Sequence, residues 1–138
     1  AAKAAPEPPP APRMPPPLTR QQMRTVTVDQ LLDRGNQMLR LRALTEPKGN
    51  NALESFLHAL VLSPDNASAQ AGVEQVASIY AGWLRDAVAR GDKAKASAHL
   101  EQLRFVMHEM EVRDWPRNRL APLREEYSRV LNAFAELR

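Results

Sequence analysis

The sequence predicts an all-α protein: a short antiparallel stack of helical hairpins, about five helices, behind a disordered proline-rich N-terminal arm. Three observations lead there. Aromatic residues make up only 5% of the 138 positions while Ala and Leu recur throughout, which favours helix over sheet. From Val28 onward the apolar residues return at three- and four-residue steps. Between these periodic stretches stand clusters of Asp, Asn, Gly and Pro, the residues that cap and break helices.

Residues 1–25 read as a linker and 26–138 as the helical domain. Residues 6–17 hold eight prolines in twelve positions, which excludes helix and sheet and favours an extended polyproline conformation. At ~3.1 Å per residue such a segment is a semi-rigid spacer, or else a ligand for aromatic-lined polyproline grooves. The first helix of the domain begins at Thr27-Val-Asp-Gln30, a capping box in which Thr and Gln exchange bonds with free backbone N–H groups. Its apolar stripe is Val28, Leu31, Leu32, Met38 and Leu39, with Gly35 on the same face. Glycine inside a helix costs about 1 kcal/mol relative to Ala, so a close helix crossing at Gly35 is expected.

The second helix runs from about Asn51 to Ser63, with Leu53, Phe56, Leu57 and Leu60 inward. Pro64-Asp-Asn66 stops it and caps the third, a long helix over about 67–90 with Val73, Val76, Ile79 or Tyr80, Trp83 or Leu84, and Ala87 on its core side. Gly91-Asp92 ends that helix and caps a fourth, whose stripe is Ala96, Leu100, Leu103, Met107 and Met110. A last helix follows Asp114-Trp-Pro116 and carries Leu120, Leu123, Tyr127, Val130 or Leu131, Phe134 and Leu137, the pattern of a helix that covers the open end of a stack. Trp115 is placed to staple its start, and Phe105 lies off the stripe of the fourth helix.

Charge is unevenly distributed. Of the 19 Lys/Arg and 16 Asp/Glu, residues 1–50 hold eight basic against four acidic, and 51–138 hold eleven against twelve. Arg13, Arg20, Arg24, Arg34, Arg40 and Arg42 make the arm and first helix basic, a composition attracted to acidic proteins, nucleic acid or anionic lipid. No stretch reaches the ~18 apolar residues of a membrane span. From the first residue, Ala, a processed product or an excised fragment is expected, with any targeting signal or membrane anchor upstream.

Catalytic constellations are missing from the pattern. With no cysteine, thiolate metal sites and Cys nucleophiles are excluded. His58, His99 and His108 have no metal-ligand spacing, and Glu125-Glu126 are adjacent, so they point apart on a helix. No phosphate loop, nucleophile elbow or dinucleotide fingerprint occurs. No catalytic residue, metal or cofactor is expected.

The spacing of Ala52, Phe56, Ala59 and Pro64 resembles the second helix of a tetratricopeptide repeat. Small Ala lets a neighbouring helix approach, Phe fills the groove between helices, and Pro ends the helix. Ala96, Leu100 and Leu103 repeat the steps of 52, 56 and 59 in degenerate form. Two departures stand out: the loop 44–50 is about five residues longer than the family's turn, and the third helix is about ten residues longer than its counterpart. The resemblance implies a non-enzymatic scaffold that binds a protein or peptide on its first-helix groove. Carried over from Gly35, the groove positions are Asp29, Asn36 and Arg40. The run from Leu44 to the Gly91-Asp92 turn is also similar to helical segments of proteobacterial envelope proteins. That implies a periplasmic module, anchored upstream, shown on its polyproline spacer and able to form homo-oligomers. A cytoplasmic module that binds nucleic acid or an anionic surface through the basic arm is the competing expectation. Against it, the arm has no interleaved aromatics for stacking on bases.

Overall fold

The computed structural model describes residues 13–137, and most of the expected spacer, residues 6–12, lies outside them. Among the described residues there are six helices and no strand. They are α1 (Arg20–Thr25), α2 (Val28–Arg40), α3 (Ala52–Leu62), α4 (Ala67–Ala89), α5 (Lys93–Glu111) and α6 (Arg117–Ala135). The chain is all-α, with one helix more than the sequence suggests.

Local side chains set the helix starts. At α2 the Thr27 hydroxyl accepts from the Gln30 N–H at 3.2 Å, and the Gln30 side chain accepts from the Thr27 N–H at 3.0 Å. Thr19 and Gln22 build the same reciprocal pair before α1. Asn51, Asn66 and Asp92 cap α3, α4 and α5 through single carboxyl or amide oxygens. Gly91 ends α4 at φ 69°, in the left-handed region where a Cβ is penalised.

Helix α4 is the spine. It packs on α3, α5 and α6 and touches α2, while α2 packs chiefly on α3. Its buried face runs through Ala69, Gly72, Val73, Val76, Ala77, Tyr80, Ala81, Leu84 and Ala87. Small residues predominate there because neighbours press on it from several sides. At the centre of the α2–α3–α4 junction sits Phe56, fully buried, with Gly35 on one helix and Gly72 on another against its ring. A Cβ on Gly35 would lie 2.6 Å from Phe56 Cε1, and one on Gly72 would lie 2.5 Å from the same atom. The close crossing expected at Gly35 is present. The equal need at Gly72, on α4, went unread in the sequence.

Trp115 lies buried before α6, and its indole N–H donates to Glu74 Oε2 of α4 at 2.9 Å. Arg119 forks onto the same carboxylate, Nε to Oε2 at 2.7 Å and Nη2 to Oε1 at 2.6 Å. With Leu120, Leu123 and Val130 buried, α6 covers the open side of α4, as its amphipathic pattern suggested. Trp83, expected in the core, is only half-buried: it stands edge-on to Tyr80 and against the ring of His99 from α5, with solvent on its remaining side.

The linker expected over 1–25 is not wholly separate from the body. Met14 and Leu18 pack against the core, as does Val26 just after the expected boundary, while α1 buries none of its own residues. The physical reason is polar as well as apolar. The Asn50 side-chain amide donates to the Pro15 carbonyl at 2.8 Å, and Arg34 donates to the Pro16 carbonyl at 2.9 Å.

The long α2–α3 loop is organised by Asn51. While capping α3, its Nδ2 donates to the carbonyls of Thr45 at 3.0 Å and Pro47 at 3.1 Å. Backbone bonds from Ala52 to Ala43 and from Leu53 to Leu44 close the loop at its base. The Thr45 hydroxyl meets the Tyr80 hydroxyl at 2.6 Å, which ties the loop to α4.

Candidate functional site

Both α3 and α5 pack on α4, and the space between them stays open as a groove of about 1140 Å³. One wall is Leu57, His58 and Val61 of α3, which share a face at helical spacing. The opposite wall is Ala98, Glu101, Gln102 and Phe105 of α5. The α2–α3 loop from Thr45 to Asn51 closes one end, with Leu18 and Met23 from the N-terminal segment beside it.

Three large apolar side chains in this groove face solvent. Val61 is 72% exposed, Met23 53% and Phe105 51%. Single exposed apolar residues are ordinary, but three lining one concavity form a patch of the sort that marks interaction surfaces. The polar lining is mixed. Glu109 pairs with Arg113 at 2.6 Å, Glu54 accepts from the Gly49 N–H at 2.7 Å, and Arg34 is held by Pro16 and Asn50. Burial lowers the tendency of the Arg34 guanidinium to hold its proton. Glu46, Lys48 and Glu101 are exposed on the rim and enter no ion pair among the described residues. The groove thus offers an apolar floor with a few charges at its edge.

Asp29, Asn36 and Arg40 do share one exposed stripe of α2, as their spacing requires, but that stripe lies outside the groove. Of the motif residues, Gly35, Ala52, Phe56 and Ala59 are buried, and Pro64 is exposed in the α3–α4 turn. The basic set is partly committed to structure: Arg34 braces the N-terminal segment and Arg42 donates to the Leu39 carbonyl at 2.8 Å. No cluster of three or more His, Cys, Asp or Glu able to hold a metal occurs among the described residues. No helix among them is long and apolar enough to cross a membrane.

The sequence signalled Phe105 by its position off the stripe. Met23 and Val61 carried no such signal: one lay in a presumed linker, and the other sat within an unbroken Leu60-Val-Leu62 run. Compared with family models, curated proteins and solved structures, the chain matches none of them.

Proposed function

We propose that this chain is a non-enzymatic interaction module that takes a peptide segment of a partner protein into the groove between α3 and α5. The observation that carries this reading is the convergence of exposed Met23, Val61 and Phe105 on one concavity. Binding sites of this kind combine an apolar floor with a small number of orienting polar groups. The occupant is a segment with two or three apolar side chains and a basic residue for Glu101.

A tetratricopeptide-like stack is the architecture we favour. The chain order of helices, the contacts of α2 and α6 with α4, and the Phe56 position between two glycines all support it. Within it α2, α4 and α6 are the first helices of successive units, so the groove between α3 and α5 lies on the second-helix side. The Asp29–Asn36–Arg40 stripe remains a separate docking face in this proposal. A place in a bacterial envelope assembly, beyond a membrane and on a polyproline spacer, rests on the similarity of the segment 44–92. The half-buried Leu131 and Phe134 on α6, with Leu137 just beyond it, are the residues a homo-oligomer would use.

The test is affinity capture from nuclease-treated envelope and soluble extracts, identification of the retained protein, and titration of that purified protein against variants. Phe105→Glu and Val61→Glu should each weaken binding at least tenfold while thermal unfolding stays near wild type, since both side chains face solvent. Loss of binding on Arg40→Ala, with both groove variants unaffected, would move the site to α2. Retention that disappears in moderate salt, or with Arg20→Ala and Arg24→Ala, would favour an anionic partner held by the basic segment.

A further inference from the structure

Proline-rich strands have no N–H to offer at each proline, so a protein can recognise their main chain only by donating to the carbonyls. Arg34 and Asn50 do that here. Arg34 Nη2 donates at 2.9 Å to the Pro16 carbonyl and at 2.9 Å to Asn50 Oδ1, and Asn50 Nδ2 donates at 2.8 Å to the Pro15 carbonyl. Asn50 is 8% exposed, and its amide orientation follows from Arg34, which can only donate. The pair is therefore preset before a strand arrives. On either side of the prolines, Met14 and Leu18 pack half-buried against the core.

We propose that Arg34 and Asn50 form a site for a proline-rich strand, and that it accepts Met14–Leu18 in trans from a second copy of this chain. Two observations favour exchange. Every copy carries the strand that fits, with the same two apolar flanks, so exchange preserves each contact. Helix α1, which joins the strand to the body, has six residues and none of them buried, so little resists its swinging away. The strand site adjoins the partner groove and shares Leu18, Arg34 and Asn50 with its lining, so Asn50→Ala and Phe105→Glu are the variants that test the two readings separately.

A fluorescent peptide with the sequence of residues 6–19 is titrated into the full chain and into its Leu18→Ser variant, with folding checked by circular dichroism. In the wild type the tethered strand competes at an effective concentration of about millimolar, so binding of the peptide is weak. Leu18→Ser loosens the tethered strand and should tighten peptide binding at least about tenfold. Adding Asn50→Ala should abolish the gain, and a peptide with Ala at the positions of Pro15–Pro17 should not bind. If Leu18→Ser does not fold, Met14→Ser takes its place. The proposal is overturned by absence of saturable binding to either folded variant, or by binding that Asn50→Ala leaves intact. A plain proline decamer that binds as tightly would overturn the assignment to this chain's own strand and make the site a general polyproline reader.

Discussion

Phe56 is fully buried, and its ring meets glycines of two neighbouring helices. A methyl group on Gly35 would lie 2.6 Å from Phe56 Cε1 and one on Gly72 2.5 Å from the same atom, so the ring must shift in either case. Overpacking of that sort costs about 1–3 kcal/mol, against the ~1 kcal/mol that Ala gains over Gly in a helix. Gly35→Ala and Gly72→Ala should therefore each destabilise in urea unfolding despite their better helix propensity. Phe56→Ala should cost about 3–5 kcal/mol as a buried aromatic truncation. Combining Gly35→Ala with Phe56→Leu should recover part of the loss, and strict additivity of the two would mean that ring and glycine do not press on each other.

Glu74 is the titrating group with the clearest consequence for stability. Burial pushes its carboxyl up, but hydrogen bonds from Arg119 and Trp115 and the Arg119 charge together outweigh this and leave it below its ordinary value. A folded value below the unfolded one gives stability that is complete above the unfolded pKa and lost as pH falls through the folded one. The α4–α6 contact should thus weaken in acid, below about pH 4. Glu74→Gln should be less stable at pH 7 and show a shallower decline between pH 5 and 3; an unchanged slope in chemical denaturation would remove this residue from the acid response.

At the scale of elements, the caps act locally and the loops act at a distance. Asn51 does both, since it caps α3 and holds two carbonyls of the preceding loop. Asn51→Ala should cost about 2 kcal/mol, the upper end for a lost cap, and should raise hydrogen exchange across residues 44–52 more than in α4. Pro122 sits inside α6, where its ring removes a helical N–H. Helix α6 persists because Trp115, Leu120, Leu123 and Val130 fasten it to the body. Pro122→Ala should accordingly stabilise the protein by about 1–3 kcal/mol, read as a higher Tm; an unchanged or lower Tm would make the proline a packing contact of α6. The element-level pattern was legible in the sequence for α2 to α6, whose caps and stripes are short-range. Helix α1 was not, because it buries no residue and so has no apolar stripe to read.

Across the whole molecule, function in this proposal depends on surfaces that the fold leaves uncovered. The groove exists because α3 and α5 lean on α4 and not on each other, so a substitution on its exposed wall should change binding without changing stability. Phe105→Glu is the direct check: an unaltered unfolding transition with lost partner binding separates surface from scaffold, and a collapsed transition would place Phe105 in the fold. The first-helix positions Asp29, Asn36 and Arg40 were legible as a shared exposed stripe, whereas the groove was not legible at all. Its walls come from segments some forty residues apart, and no local spacing encodes their separation.

The sequence by itself determined the helical class, the starts of the five main helices, most of their inward residues and the burial of Phe56. These follow from capping chemistry, 3.6-residue periodicity and the backbone limits of Gly and Pro, all of which act within a few residues. Only the tertiary structure decided that Gly72 shares the Phe56 contact, that Arg34 and Asn50 grip the proline strand, and that Met23, Val61 and Phe105 meet in one groove. Each of these joins residues distant in the chain, and the free energy of such contacts depends on how whole helices pack against one another.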